Sequence, residues 1–225
     1  MRTGAWAGIF LLLLIAGCGS VPFQRPELVP LEGGDPWNIV KRFQEGAPQR
    51  FQLLNTVVFE YNFREFSGIG AVRVDSASGV FRAAGMNPMG VKLFDISGDR
   101  GGVTSHYAIE AFSRYGDIAA AVGNDVRRIY FDLVPAKEAT IRKRTNKLVF
   151  RQPTGGGFLE YLFGGADGDL IEKKYYDDNG IRWRVSYYEY REQQGKRWPR
   201  GVVFINYEFG YRLTVRNKEL TFEND

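Results

Sequence analysis

The chain has 225 residues, 44% apolar and 15% aromatic, with 27 glycines but only one cysteine and one histidine. That length suits one domain of about 200 residues. The lone cysteine and lone histidine exclude an internal disulfide framework and leave no ligand set for a cysteine-rich or histidine-rich metal centre. Thirty basic against 26 acidic residues give a net charge of +4, too mild and too evenly interleaved to imply nucleic acid.

Residues 1–17 carry Arg2 and then an apolar run from Ala5 to Ala16, shorter than the roughly 18 residues a bilayer-crossing helix requires, so the segment reads as a secretory signal. Its end, Leu14-Ile15-Ala16-Gly17-Cys18, resembles the lipobox of bacterial lipoproteins, where small residues precede a cysteine that is lipidated and becomes the new N-terminus. That resemblance implies lipidation at Cys18 by several acyl chains, which anchor stably where one holds only marginally. Gly19-Ser20 stand where an Asp would retain a lipoprotein in the inner membrane of many Gram-negative bacteria, so the implied place is the periplasm-facing leaflet of the outer membrane. Residues 18–35, rich in proline and glycine and lacking apolar periodicity, read as a flexible tether between lipid and domain.

Asp35 as N-cap and Pro36 at the first helical position predict a short helix over Pro36 to Gln44. Strand patterns follow at Phe51 to Phe63, Ile69 to Asp75, Val80 to Ala84 and Met89 to Ser97, with turns at 76–79 and 98–102. From Asp117 the spacing turns helical, placing Ile118, Ala121, Val122, Val126, Ile129, Tyr130 and Leu133 on one stripe that Pro135 stops. Gly123-Asn124 is expected to weaken or split that helix. The basic run Ile141 to Lys147 reads as a solvated link, with anionic lipid or an acidic partner surface as the alternative. Strands return at 147–152, 158–163, 170–176, 182–190, 201–207 and 211–216. Trp183, Val185 and Tyr187 oppose Arg182, Arg184 and Ser186, and Tyr211, Leu213 and Val215 oppose Arg212, Thr214 and Arg216, which makes a sheet wet on one face and apolar on the other. The prediction is a mainly β (α+β) fold in a single domain over 36–225: an open antiparallel half-barrel of about eleven strands with a helical lid around 108–135.

Three segments resemble the LolB family of outer-membrane lipoproteins, within the LolA/LolB lipoprotein localisation superfamily. They are Phe81 to Gly102, the helical stretch ending Val126 to Pro135, and Asn179 to Tyr190 with Pro199 and a final strand pair beyond. The resemblance implies the same half-barrel. It also implies a function: to accept lipoproteins, by their acyl chains, from a LolA-like periplasmic carrier and help set them into the outer membrane. The loop Asn87, Pro88, Met89 and Gly90 occupies the place where that family projects an apolar residue toward the membrane, with Met89 at its tip; a tight turn with Met89 packed inward is the alternative. An acyl chain gains roughly 0.8 kcal/mol per buried methylene, so a carrier needs a wide apolar concavity. Phe81, Leu93, Ile118, Val122, Ile129, Trp183, Val185 and Leu213 are the candidates to line it, or else to pack as ordinary core. A monomer is expected, with no cofactor or metal.

Catalysis finds little support in the residues. Ser105-His106 has no nucleophile elbow around it, and scattered carboxylates such as Glu60, Glu65, Glu160 and Glu189 are singled out by nothing. Asp177-Asp178-Asn179-Gly180 lacks the spacing of a calcium loop, and Gly155-Gly156-Gly157 lacks the Lys-Ser/Thr of a phosphate loop; both read as turns. The expectation is therefore a non-enzyme. The competing reading is a lipoprotein that uses the half-barrel for another lipid or glycolipid, or as an envelope scaffold.

Overall fold

A computed structural model describes residues 21–31, 34–110 and 117–223. Helix α1 spans Pro36–Gly46; its N-cap Asp35 accepts from the Trp37 amide, Pro36 opens the first turn, and Ile39, Val40 and Phe43 form the buried face. Five strands follow: β1 Arg50–Tyr61, β2 Arg64–Asp75, β3 Val80–Met86, β4 Lys92–Gly98 and β5 Val103–Ala108. Helix α2, Ile118–Tyr130, begins with Asp117 Oδ1 accepting from the Ala120 amide. Seven strands complete the chain: β6 Thr140–Arg144, β7 Lys147–Thr154, β8 Gly157–Gly164, β9 Asp169–Asp177, β10 Gly180–Gln193, β11 Lys196–Asn206 and β12 Tyr211–Phe222.

All twelve strands join one antiparallel sheet in the order β5-β4-β3-β2-β1-β12-β11-β10-β9-β8-β7-β6. The first long strand pairs with the last, Phe51 opposite Phe222 and Tyr61 opposite Tyr211, so two meanders meet at the centre while β5 and β6 remain as open edges. The inner face carries the core. Val74, Phe81, Ile96, Phe150, Phe163, Val185, Val202 and Phe204 are each at most 1% exposed, and burying each such side chain stabilises the fold by about 1.5–3 kcal/mol. Helices α1 and α2 pack on this face: α1 sets Trp37 against Phe150 and Phe43 against Phe163 and Tyr190, while α2 lies over β3, β4 and β5.

The structure departs from the sequence reading in four places. The strand count is twelve among the described residues, because β6, Thr-Ile-Arg-Lys-Arg, is a fully exposed edge strand with no buried alternation to betray it. Helix α2 runs unbroken through Gly123. A Cβ there would sit 2.4 Å from Val103 Cγ2 and 3.2 Å from Phe81 Cζ, so glycine permits the close approach of helix to sheet at a modest cost in helix propensity. Residues 21–31 of the segment read as a tether lie against the domain, starting on the outer face at Val21 and Phe23 and ending with Leu31 packed on the main core. Phe23 is 7% exposed and stacks on Tyr188, Pro22 O accepts from Arg216, and the Leu31 amide reaches Thr145 O. Leu93 does not join the core, because β4 alternates in unbroken register from Phe94 to Gly98 and turns Phe94 and Ile96 inward opposite Gly85 and Ala83.

Candidate functional site

The concave face divides into a covered floor and an open shelf. Over the floor, α2 is tied down by three side chains from the sheet. Tyr187 Oη donates to Ile129 O at 2.8 Å, Lys173 Nζ donates to Phe131 O at 2.7 Å, and Tyr211 Oη donates to Asp125 Oδ2 at 2.6 Å. Arg127 adds a contact with Gly102 O at 2.7 Å in the β4–β5 turn, and Arg128 lies over the Trp183 and Phe204 rings. These are costly groups to bury. Desolvation lowers the Lys173 ammonium to about 7, and desolvation raises the Asp125 carboxyl to about 6 despite the opposing hydrogen bond from Tyr211 and the charge of Arg128. The lid is thus fastened by buried polar groups that hydrogen-bond to one another and to the α2 backbone.

Beneath the helices the apolar space is small. A cavity of about 40 Å³ lies among Phe43, Leu53, Ile129, Tyr130, Tyr187 and Leu220, against the roughly 300–1,000 Å³ usual for a ligand pocket. The wide concavity expected from the sequence is therefore filled by helix side chains in this conformation. Of its predicted lining, Phe81, Ile129, Trp183 and Val185 are buried in the core, Val122 and Leu213 pack at its margin, and Ile118 and Leu93 fall outside the core cluster.

Beyond the lid the inner face stays apolar but uncovered. Register places Phe59 opposite both Leu213 and Phe66, and Tyr61 opposite Tyr211; Phe66 and Tyr61 are 59% and 44% exposed. This shelf runs to the end of the sheet where β1 turns into β2, β3 into β4 and β11 into β12. Each of those turns ends in an exposed apolar side chain: Phe63, Met89 and Phe209. Asn62 and Phe63 both hold positive φ, 47° and 60°, in a two-residue hairpin turn that ordinarily favours Asn-Gly. A phenylalanine in that conformation displays its ring clear of the protein.

The predicted loop is rigid and outward. Asn87 Oδ1 accepts from the Met89 and Val91 amides at 3.0 and 2.9 Å, the Gly90 amide reaches Asn87 O, and Gly90 takes φ +82°. Met89 is left 85% exposed, so the inward-packed alternative does not apply. Cys18 lies outside the described residues. His106 Nε2 meets Ser97 Oγ at 2.8 Å on an exposed strand face, not the adjacent Ser105. Among the described residues no group of three His, Cys, Asp or Glu side chains gathers to hold a metal, and no helix is long and apolar enough to cross a membrane. Sequence reasoning missed Lys173, a charged residue in an alternating strand, and the Phe63 and Phe209 tips; Phe209 had a signal, a bulky aromatic inside the Glu208-Phe209-Gly210 turn, whereas Phe63 was read as the end of a strand.

Two solved structures share this architecture. A LolA superfamily protein, NE2245, from Nitrosomonas europaea superposes with a TM-score of 0.56 at 10% identity over 86% of this chain and 96% of its own. A protein from Vibrio parahaemolyticus described as a putative outer membrane lipoprotein-sorting protein domain gives 0.51 at 8% identity over 83% and 92%. At such identities the likeness establishes a LolA-like fold. No protein of curated function matches the chain in sequence. Residues 52–219, which hold the β1-to-β12 sheet and its lid, match the family described as protein of unknown function DUF3261, and the chain belongs to that family.

Proposed function

We propose that this chain is a membrane-anchored acceptor that takes lipoprotein acyl chains from a LolA-like periplasmic carrier and passes them into the inner leaflet of the outer membrane. The observation that carries the reading is the convergence of uncovered apolar side chains at one end of the sheet. Met89 on its rigid loop, Phe63 and Phe209 at two further tips, and the shelf of Phe59, Tyr61 and Phe66 leading back toward the lid all lie there. Exposed apolar side chains gathered at one end of a sheet mark a contact with lipid or a partner. The LolA-like fold supports a lipid-handling role by analogy, since fold alone does not fix function.

No covalent step is needed. Each tenfold preference for the next site along the route corresponds to about 1.4 kcal/mol, so direction follows from rising affinity, carrier to shelf to bilayer. The anchor at Cys18 keeps the shelf within reach of the leaflet.

The test mixes the protein with a purified carrier–lipoprotein complex and follows the lipoprotein by site-specific photo-crosslinking, then adds liposomes. Lipoprotein should move onto this chain, and release into liposomes should fail in Met89→Glu while the first transfer persists. A folded protein that takes no lipoprotein refutes the acceptor role and turns the search toward another lipid or an envelope scaffold.

A further inference from the structure

A second opening lies at the opposite end of the sheet from the apolar tips. Pairing of β11 with β12 stops at Gly201 opposite Arg216, although β12 runs on to Phe222 and β11 begins at Lys196. Below that point the β10–β11 hairpin and the β1–β12 pair separate. They are bridged by Asn217 Nδ2 to Pro199 O at 2.8 Å and Gln193 Nε2 to Leu220 O at 3.1 Å. The register shift beside Asn55, which pairs with Asn217 while Leu54 pairs with Glu219, leaves Lys218 unpaired at the split.

On its outer side the split holds a polar cavity of about 270 Å³. Arg191, Arg200 and Lys218 line it, and none of them forms an ion pair among the described residues. Glu192, the carboxylate in the lining, stands opposite Arg197 in the hairpin register. On its inner side lies the apolar 40 Å³ cavity under the helices, and Trp198 and Asn217 line both. These two residues, 7% and 1% exposed, each carry a buried polar atom with no hydrogen-bond partner: Trp198 Nε1, a donor, and Asn217 Oδ1, an acceptor. Buried orphans of this kind are rare in folded proteins and mark a missing partner. Here one donor and one acceptor lie buried in the partition between the two cavities, with cations outside and hydrocarbon within.

We propose that this split is a port for an anionic, hydroxyl-bearing amphiphile of the phosphatidylglycerol class. Its phosphate sits against Arg191, Arg200 and Lys218 and accepts from Trp198 Nε1. A glycerol hydroxyl donates to Asn217 Oδ1, and the tail passes between Trp198 and Asn217 into the cavity under α1 and α2. The inner space then grows as α2 lifts from its three side-chain ties. The port rests on the reading of this fold as lipid-handling and names a ligand class for it.

The test uses the full chain in phosphatidylcholine vesicles, exposed to lysophosphatidylglycerol or lysophosphatidylcholine with a diazirine at the tail end, followed by irradiation and peptide mapping. Adducts are expected on the cavity lining near Phe43, Leu53 and Leu220, with about tenfold more from the anionic head, a ratio within the range of one or two charge-assisted contacts. Arg200→Glu with Lys218→Glu, checked for an unchanged thermal midpoint, should erase the preference. Equal labelling by both heads, a preference that survives the charge reversal, or adducts confined to the Phe63, Met89 and Phe209 tips overturns the port. Full competition by inorganic phosphate at the probe's own concentration also overturns it, since the site would then take the free anion. Lipoprotein transfer and head preference measured together on the unsubstituted protein separate the two readings. Transfer intact with no head preference defeats the port alone, and preference intact with no transfer defeats the acceptor role alone.

Discussion

Lys173 is the buried basic group on which the closed lid can be tested. It lies on β9 at 2% exposure, donates to Phe131 O just past the end of α2, and sits over the Trp183 ring. Burial lowers its pKa from 10.5 to about 7. Between those values the folded protein binds fewer protons than the unfolded chain, so stability rises with pH through that window and the burial cost is fully present below it. From pH 7 to 9 the gain integrates to about 2 kcal/mol, half of the first unit being lost because the group is half-titrated at the start. Lys173→Met keeps the apolar stem and removes the titration. Urea unfolding of both proteins at pH 7 and pH 9 isolates the term, because other groups cancel in the comparison. The wild type should gain on the variant by about 2 kcal/mol over that interval. An unchanged difference between the two proteins would show that Lys173 is not held neutral under the lid, and would refute the closed floor described above.

Asp125 gives the opposite window: its pKa is raised from 3.8 to about 6, so its contribution is greatest below pH 4 and is lost as pH rises through 6. Relative to Asp125→Asn, the wild type should lose roughly 3 kcal/mol at most across that range in the same urea series. Gly123→Leu drives a side chain into Val103 and Phe81 and should lift α2; raised binding of an environment-sensitive apolar dye with far-ultraviolet dichroism retained is the expected signature, and no increase counts against a hinged lid. Phe63→Asp with Phe209→Asp should leave the thermal midpoint within about 2 °C, as both rings are exposed, and lower vesicle association severalfold. Association equal to wild type would detach those tips from the membrane.

Local signals in the sequence survive in the structure, and long-range ones had no local trace. Asp35 and Asp117 are legible as caps because capping joins residues two or three apart. The faces of β10 and β12 are legible because alternation repeats within each strand, and Val185 and Val215 do turn inward. The edge strand β6 is illegible for the converse reason: with neither face buried, Thr140 to Arg144 have no apolar period to display. Leu93 was misplaced because Leu93 and Phe94 are adjacent apolar residues, and only the pairing of Phe94 with Gly85 and of Ile96 with Ala83 decides which of the two faces the core. The ties on the lid join residues 42, 58 and 86 positions apart, so no pattern in any window foretells them. Met89 was placed by resemblance to a family, and its exposure was then decided by the amide-to-Asn87 bonds that close its loop.

A filled floor under a fastened lid has an energetic consequence for a lipid acceptor. Lifting α2 breaks three side-chain hydrogen bonds, each worth about 1 kcal/mol net, and uncovers part of a large aromatic core. An acyl chain arriving from another protein brings little net hydrophobic gain, because it leaves one apolar site for another; from water the same chain would bring roughly 0.8 kcal/mol per methylene. The uncovered shelf is therefore the place where a chain first lands at no conformational cost, since Tyr61 and Phe66 are already exposed beside the half-buried Phe59. Occupation of the floor would follow only where the chain's contacts exceed the strength of the ties. A protein built this way holds its cargo loosely near the rim, next to Phe63, Met89 and Phe209, which favours onward release to a bilayer over storage.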